Sequence, residues 1–148
     1  MVKRLEDTGV NGAVLFNRFY LPDIDVESMT VMPSLQLSNS NEALLRIRWI
    51  GLLRDQVALS LSATGGMHTI DDALKALLVG ADSIQLCSVL FEKGIDEIGH
   101  LRDRLEQWLE DNDHPGVAAI KGLMSYGRVA DPSAFERANY LQVLEENS

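Results

Sequence analysis

The stretch VALSLSATGGMHTIDDALKALLVGADSIQLCSVL, residues 57–90, decides the fold. It has the length of one strand–helix–strand crossover. In order, it contains a strand-like segment, a pair of glycines, an amphipathic segment, a single glycine and a second strand-like segment. Nearly apolar strands on either side of an amphipathic helix are typical of a parallel sheet buried on both faces. This part of the chain therefore predicts a βαβ unit.

Both ends of the predicted helix carry recognisable signals. Thr69 and Asp72 have the spacing of a capping box, in which each side chain bonds to the backbone N–H of the other residue. Gly80 stands where the residue after a helix often takes left-handed backbone angles. Between these points, apolar residues recur every three or four positions, as one face of a helix requires: Ile70, Ala73, Leu74, Leu77 and Leu78.

Two pairs of residues follow the two predicted strands. Gly65 and Gly66 come after the first strand, and Cys87 and Ser88 come after the second. In a (β/α)₈ barrel, the loops after the last two strands usually hold a phosphate group. Glycines have no Cβ, so their backbone N–H groups can approach an anion closely. The alternative, favoured by the dipeptide alone, is that the glycines only form a tight turn between strand and helix.

The composition limits the class of protein. A chain of 148 residues fits one domain, and 46% hydrophobic with 24% charged residues is typical of soluble globular proteins. The net charge of -9 argues against nucleic acid or an anionic membrane as a partner. One cysteine excludes an internal disulfide, and no apolar stretch approaches the roughly 20 residues that span a bilayer. We therefore expect a cytoplasmic protein that acts on a small molecule.

The chain before the central unit predicts one more strand and a long loop. Ala13–Phe16 has the composition of a buried strand, and Asn17 follows at its carboxyl end. Parallel-sheet enzymes keep functional side chains at this position, although a lone asparagine there is more often a turn residue. Residues 18–40 have no helical period. They predict a turn marked by Pro22, Asp23 and Asp25, and one or two short strands over Ser28–Leu37.

A helix capped by Asn39 or Ser40 is predicted next. Its predicted buried stripe consists of Leu45, Trp49, Leu52 and Leu53. The arginines at positions 46, 48 and 54 are then expected on a solvated face. The alternative is that they contact an anionic partner.

Chemistry other than anion binding finds little support. The three histidines lack the spacing of metal ligands, so we expect no metal site. Cys87 has no histidine near it in sequence, and a small buried residue is the default for such a thiol. A further helix is predicted after the second strand, over residues 98–108, because apolar side chains space there at three and four.

The residues alone therefore predict an α/β fold with about three βα units, as in a partial (β/α)₈ barrel. The predicted parallel strands are Ala13–Phe16, Ala58–Ser62 and Ser83–Leu86. We expect a single domain over residues 1–148, with a core over 9–110 and a C-terminal helical extension over 111–148.

Three blocks of the chain resemble consecutive blocks of one family: LFNRFYLPDID, SLSATGGMHTIDDALKALLVGADSIQLCSVLFEKG and VADPSAFERANY. The resemblance is to the carboxyl-terminal half of dihydroorotate dehydrogenase-like proteins, which are FMN-dependent (β/α)₈ barrels. It implies an oxidoreductase of pyrimidine biosynthesis that oxidises a dihydropyrimidine. It also implies that Gly65, Gly66, Cys87 and Ser88 hold the FMN phosphate, and that Asn17 contacts the substrate.

The departures from the family are as informative as the matches. Arg18 stands where the family often has a small hydroxyl residue, and Cys87 stands where many members have glycine. The paired glycines of the sixth loop and the first five strands have no counterpart in the sequence. The flavin-contacting lysines and the catalytic base belong to those strands, so we expect no catalytic residue here. FMN binding should be weak or absent in the isolated chain.

An incomplete barrel has open strand edges and an apolar inner face. We therefore expect a homo-oligomer, such as a dimer, or pairing with a separate amino-terminal half. The alternative function is that of a non-catalytic remnant that self-associates or binds phosphate.

Overall fold

A computed structural model describes residues 1–16 and 21–136 and shows a mixed α/β fold. The strands are β1 (Gly12–Leu15), β2 (Asp23–Asp25), β3 (Thr30–Met32), β4 (Ser60–Thr64) and β5 (Ser83–Gln85). The helices are α1 (Val2–Glu6), α2 (Ala43–Arg54), α3 (Ile70–Val79), α4 (Ser88–Lys93), α5 (Glu97–Asp111) and α6 (Val117–Ile120). Short 3₁₀ helices cover Ser40–Glu42 and Pro132–Phe135. Among the described residues, no helix combines the length and apolar character needed to cross a membrane.

Three strands form one parallel sheet in the order β1-β4-β5. The pairing runs from Gly12 opposite Ser60 in the first pair, and from Ser62 opposite Ser83 in the second. This confirms the predicted parallel arrangement. The middle strand, Ser60–Thr64, lies two residues further along the chain than predicted. The reason is that the apolar residues just before it are buried in the core without pairing, so their burial does not mark the start of the strand.

Helix α3 forms as predicted. Oγ1 of Thr69 accepts a hydrogen bond from the N–H of Asp72, and the carboxylate of Asp72 accepts one from the N–H of Thr69, which completes the capping box. Gly80 ends the helix with a φ of 113°, in the left-handed region that glycine adopts most easily. The helix therefore has fixed limits at both ends.

The buried face of α2 differs from the prediction. Leu45 and Trp49 are 47% and 39% exposed, whereas Arg46 is only 7% exposed. The residues that α2 buries are Ala43, Arg46, Ile50 and Gly51. The prediction was wrong because apolar residues occur all around this helix. The side facing the core was selected by close packing, which needs small residues such as Ala43 and Gly51.

An antiparallel hairpin, Asp23–Met32, lies between β1 and α2. Its turn covers residues 26–29 and so follows the predicted turn residues, of which Asp23 and Asp25 lie in β2. Asp25 explains the position of the turn, because its carboxylate accepts hydrogen bonds from the N–H of Glu27 and the hydroxyl of Ser28. The hairpin exposes several large apolar side chains: Ile24, Val26, Met29, Val31 and Met32.

The C-terminal segment, defined here as residues 117–127, packs on the carboxyl ends of the two central helices. The N–H groups of Gly122 and Met124 donate to the carbonyls of Leu77 and Leu78 in α3, at 3.0 and 2.8 Å. These carbonyls lie in the last turn of α3, where the regular intrahelical donors end. The carbonyl of Leu77 also accepts from the N–H of Gly80 at 2.9 Å. The segment thus takes the place of water at the end of the helix.

Asp82 connects the C-terminal segment to the sheet through hydrogen bonds and ion pairs. Its carboxylate accepts hydrogen bonds from Arg54 at 2.7 Å, from Lys121 at 2.7 Å and from the N–H of Leu61 at 2.8 Å. Partial burial by itself would raise the pKa of the Asp82 carboxyl group. The hydrogen bonds from Lys121 and Leu61 and the charge of Arg54 outweigh burial, so the pKa lies below its ordinary value.

Candidate functional site

A cavity of about 430 Å³ lies where β4 and β5 end. Its lining includes Gly65 and Gly66 after β4, Cys87 and Ser88 after β5, and residues 34–38 of the loop before α2. The volume falls within the roughly 300–1,000 Å³ of typical small-molecule pockets. The structure thus brings together all four residues to which the resemblance assigns FMN phosphate. Asn17 lies outside the described residues.

The glycine turn is packed closely against α2. Gly65 and Gly66 have φ angles of 86° and 83°. A Cβ on Gly66 would lie 2.9 Å from Cα of Ala43, and one on Gly65 would lie 3.0 Å from the guanidinium of Arg46. Glycine is therefore required at both positions by backbone conformation and by packing. The N–H of Gly66 donates to Oγ of Ser38 at 3.3 Å.

Asp72 holds the glycine turn against the start of α2. Its carboxylate accepts hydrogen bonds from the hydroxyl of Ser40 at 2.7 Å, the hydroxyl of Thr69 at 2.9 Å and the N–H of His68 at 3.1 Å. Burial raises the pKa of Asp72, but these hydrogen bonds outweigh burial and hold the pKa below its ordinary value. The side chain of Asp72 is therefore a charged carboxylate at neutral pH, and its hydrogen bonds fix the position of the glycine turn.

Arg46 is a site residue that the sequence reasoning missed. Its Nε donates to the carbonyl of Thr64 at 3.1 Å, and its Nη1 donates to the carbonyl of Glu42 at 2.8 Å. Its guanidinium also lies 5.9 Å from the centre of the Phe16 ring, within reach of a cation–π contact. Its Nη2 lies 3.7 Å from a carboxylate oxygen of Glu42. The guanidinium beside the glycine turn is therefore part of an ion pair.

A signal for Arg46 was present in the sequence. Ala43 and Ile50 stand three positions before and four positions after it, so the three side chains share one face of α2. A small residue, an arginine and a branched apolar residue on one face describe a helix that packs closely and carries one buried charge. The prediction instead followed the larger side chains, Leu45 and Trp49.

A second set of residues, at the back of the cavity, was also not predicted. His68 is 8% exposed, and its Nε2 lies 3.2 Å from Oγ of Ser38. Its Nδ1 lies 3.4 Å from Oε2 of Glu92 in α4. The hydroxyl of Ser38 donates to Oγ of Ser88 at 2.9 Å, and the N–H of Ser38 donates to the same oxygen at 3.1 Å. Ser38 was missed because the loop that carries it has no periodic pattern.

Cys87 differs from the expectation of a buried thiol. It is exposed, and it stands between β5 and α4 at the wall of the cavity. The expectation was wrong because it considered the residue type alone, whereas the end of a parallel strand opens toward the ligand side of the sheet. Within residues 1–16 and 21–136, no group of three or more histidine, cysteine or acidic side chains is placed to hold a metal ion.

The donors around the cavity suit a phosphate monoester. The hydroxyl of Ser88 and the backbone of the glycine turn offer hydrogen bonds. Arg46, paired with Glu42, holds the carbonyl of Thr64 at the start of that turn. Leu35 and Phe91 supply an apolar wall on which a ring system can lie. The residues present therefore fit the phosphate end of a ligand that also has an apolar portion.

No family model matches the chain, and no curated protein sequence matches it. Among solved structures, the chain is similar to DHODH, a dihydroorotate dehydrogenase, from Eimeria tenella in complex with ferulenol. The TM-score is 0.62 at 19% sequence identity, and the match covers 79% of this chain and 32% of that chain. The chain thus spans about a third of the length of that enzyme. The fold is that of part of a dihydroorotate dehydrogenase-like barrel.

Proposed function

We propose that this chain forms the phosphate-binding part of an FMN-dependent oxidoreductase of the dihydroorotate dehydrogenase type. One observation carries the proposal: the residues that follow two neighbouring parallel strands line one cavity. Loops after adjacent strands hold phosphate in many (β/α)₈ barrels. The similarity of fold to a DHODH supports the same function.

The proposal gives each residue a binding role. Ser88 and the backbone at Gly65, Gly66 and Cys87 bind the phosphate, and Arg46 holds the glycine turn in place through its bond to the carbonyl of Thr64. When bound, the flavin supplies the group that accepts hydride from the substrate. By resemblance, Asn17 binds a pyrimidine. The base that removes the substrate proton is provided by residues outside this sequence.

The expected affinity of the 148-residue chain for FMN is low. Each charge-assisted hydrogen bond to a phosphate contributes about 1.5–3 kcal/mol. Ordering the ligand opposes binding by about 4 kcal/mol or more. In addition, the N–H of Gly66 already donates to Ser38, so a phosphate must compete for it. Phosphate contacts alone therefore correspond to a dissociation constant nearer about 1 mM than 1 nM.

Binding of FMN compared with riboflavin tests the proposal, because riboflavin lacks only the phosphate. Titrations follow quenching of flavin fluorescence. We expect FMN to bind more tightly than riboflavin, and Ser88→Ala to weaken FMN at least about tenfold. Ser60→Ala is the matched control, since Ser60 is exposed at the opposite end of β4. Equal binding of the two flavins, or equal effects of the two variants, would contradict the phosphate site.

Turnover provides a second test. We expect the chain alone to show no oxidation of dihydroorotate with an artificial electron acceptor, because the family's base contributes about 10²–10⁴ in rate. Activity of the pure chain, or binding of FMN below micromolar concentration, would show that the chain by itself builds a complete site.

The exposed apolar hairpin favours an assembled state, and it also supports the second candidate function, a self-associating module. Val14 in edge strand β1 is 55% exposed, and Ile24 and Val31 in the hairpin are 64% and 69% exposed. We propose that these side chains are covered by a second copy or by the remaining strands of the barrel. Sedimentation equilibrium at micromolar concentration is expected to give at least a dimer for the chain alone. A monomer of 16.4 kDa would contradict this.

A further inference from the structure

The loop that lines one side of the cavity is joined to the strand ends through one serine. We call residues 33–39 the strap; it connects β3 to the first 3₁₀ helix and has no regular secondary structure. Ser38 is the one buried residue of the strap. Among the described residues, every hydrogen bond between the strap and the segments that follow β4 and β5 involves Ser38. Ser38 therefore holds the strap against the cavity.

The hydroxyl oxygen of Ser38 bridges these two segments. It accepts a hydrogen bond from the N–H of Gly66, after β4, at 3.3 Å, and it lies 2.9 Å from Oγ of Ser88, after β5. The N–H of Ser38 donates to the same Ser88 oxygen at 3.1 Å. Gly66 and Ser88 both line the cavity and belong to the proposed phosphate site. One oxygen of the protein thus lies where one phosphate oxygen would reach both strand ends.

The protein itself fills the hydrogen-bonding capacity of this hydroxyl. A hydroxyl group donates one hydrogen and accepts through two lone pairs. The hydrogen of Ser38 goes to Ser88, and its oxygen also contacts the N–H of Gly66 and Nε2 of His68, the latter at 3.2 Å. A neutral imidazole that carries its hydrogen on Nε2 completes this set. Ser38 is therefore fully bonded in the position between the two strand ends.

We propose that Ser38 is an internal competitor of the phosphate group, because its hydroxyl oxygen occupies the position in which a phosphate oxygen would bridge Gly66 and Ser88. The inference rests on the proposed function, since it concerns the same cavity. It deepens that function by naming a residue that sets the affinity of the site. A phosphate monoester binds when Ser38 and the strap withdraw from the strand ends. Removal of this hydroxyl should therefore strengthen binding of the anion.

The expected gain comes from the buried N–H of Gly66. In the wild type, a phosphate replaces one acceptor of this N–H by another, so the net gain from this bond is small. In Ser38→Ala the N–H lacks the serine acceptor, and a buried donor without a partner is costly. A phosphate then removes this cost when it binds. The net contribution of one hydrogen bond corresponds to about threefold to tenfold in a binding constant.

Other residues fix the glycine turn at both of its ends. Arg46 donates to the carbonyl of Thr64 before the turn, and Asp72 accepts from the N–H of His68 after it. An alanine at position 38 therefore removes the acceptor without releasing the turn that carries the donor.

Amide hydrogen exchange, measured by NMR without ligand, tests the contact itself. We expect the N–H of Gly66 to exchange about threefold to tenfold faster in Ser38→Ala than in the wild type. The N–H of Thr69, which donates to Asp72, is the internal reference and should not change. Ser34→Ala is the matched control, because Ser34 also lies in the strap and lines the cavity but is only half-buried. Equal exchange of Gly66 in the wild type and Ser38→Ala would overturn the proposal.

The second test measures affinity for FMN, riboflavin and inorganic phosphate. Quenching of fluorescence follows the two flavins, and the NMR shift of the Gly66 amide follows phosphate. We expect Ser38→Ala to bind FMN and phosphate about threefold to tenfold more tightly than the wild type does. Its affinity for riboflavin should stay the same, because riboflavin lacks the phosphate. Ser34→Ala should match the wild type for all three ligands.

A third measurement uses the wild type alone and so does not require the variant to fold. At saturating inorganic phosphate, the N–H of Ser38 should exchange faster, because its bond to Ser88 is broken when the strap withdraws. The N–H of Gly66 should remain protected, because the phosphate replaces Ser38 as its acceptor. Unchanged protection of Ser38 at saturating phosphate would overturn the proposal, since the anion would then bind without displacing it.

The outcomes separate this inference from the proposed function. Tighter binding of FMN and phosphate by Ser38→Ala, with riboflavin unchanged, supports it. Equal or weaker binding of the two anions overturns the role of Ser38 and leaves the phosphate site intact. A gain for riboflavin as large as that for FMN reflects a wider cavity and also overturns the role. Binding of neither FMN nor phosphate by the wild type or Ser38→Ala overturns the proposed function, and the role of Ser38 fails with it.

Discussion

Replacement of Asp82 by alanine tests whether one carboxylate joins the sheet to the C-terminal segment. The side chain of Asp82 is 19% exposed and accepts from Arg54, Lys121 and the N–H of Leu61. The variant removes all three acceptor contacts at once. It leaves two cations without their shared carboxylate and leaves one backbone donor without its partner.

The size of the effect follows from the exposure of each partner. The side chains of Arg54 and Lys121 are 26% and 37% exposed, so solvent screens both ion pairs and each contributes only about 0.5–1 kcal/mol. An unsatisfied backbone N–H at Leu61 costs about 1–3 kcal/mol. We therefore expect Asp82→Ala to lower the free energy of unfolding by about 2–5 kcal/mol. Asp82→Asn, which retains an acceptor for Leu61, should lower it by about half as much.

Urea unfolding, followed by circular dichroism and tryptophan fluorescence at pH 7, measures the change. Asp103→Ala is the matched control, because Asp103 pairs with Arg102 on the open surface of α5, and its midpoint should stay unchanged. Since the pKa of Asp82 is lowered in the folded state, its stabilisation is present above the unfolded pKa of about 3.9 and disappears as pH falls below that value. A midpoint for Asp82→Ala equal to that of the control would refute the role of this carboxylate.

Three further predictions concern the glycine turn and its anchor. Gly66→Ala should lower the melting temperature more than Gly94→Ala. Both glycines have positive φ, but only at position 66 would a Cβ lie 2.9 Å from Cα of Ala43. Equal shifts in melting temperature would contradict the close packing. Thr69→Ala removes the hydroxyl that caps α3 and should destabilise the chain by about 1 kcal/mol in urea, whereas an unchanged midpoint would exclude the cap. The pKa of Asp72 is lowered by its hydrogen bonds, so its charge stabilises the folded state at pH 7. The free energies of unfolding of wild type and Asp72→Asn should therefore differ at pH 7 and converge below about pH 4. A difference that does not change with pH would show that the charge has no such role.

Much of the fold could be predicted because its signals are local. Thr69, Asp72 and Gly80 specify the ends of α3 through contacts a few residues apart, and the structure shows each of these contacts. The parallel strands followed from the alternation of apolar segments with helices. The parallel arrangement in turn predicted that the residues after β4 and β5 lie at one cavity, because the carboxyl ends of parallel strands share an edge. These residues are Gly65, Gly66, Cys87 and Ser88.

The remainder depended on contacts between distant residues, which no local pattern reveals. Arg46 is buried because Thr64 and the glycine turn meet it in space, although its neighbours in the sequence predict a solvated position. Ser38 meets His68 and Ser88, which are 30 and 50 positions away. The hairpin turn was placed a few residues early, because Asp23 and Asp25 are turn formers by type but pair in β2, and the side chain of Asp25 closes the turn that follows.

The C-terminal segment also has a consequence for the order of folding. Tyr126 donates its N–H to the carbonyl of Gly51, and Met124 donates to Leu78, so the last turns of α2 and α3 gain these partners only when a late part of the chain arrives. Bringing such distant residues together is slow compared with forming a helix. During synthesis, α2 therefore forms with a frayed carboxyl end, whereas the end of α3 is already capped by Gly80. Amide hydrogen exchange in the folded chain should begin at the end of α2, since the contacts that form last are the first to open.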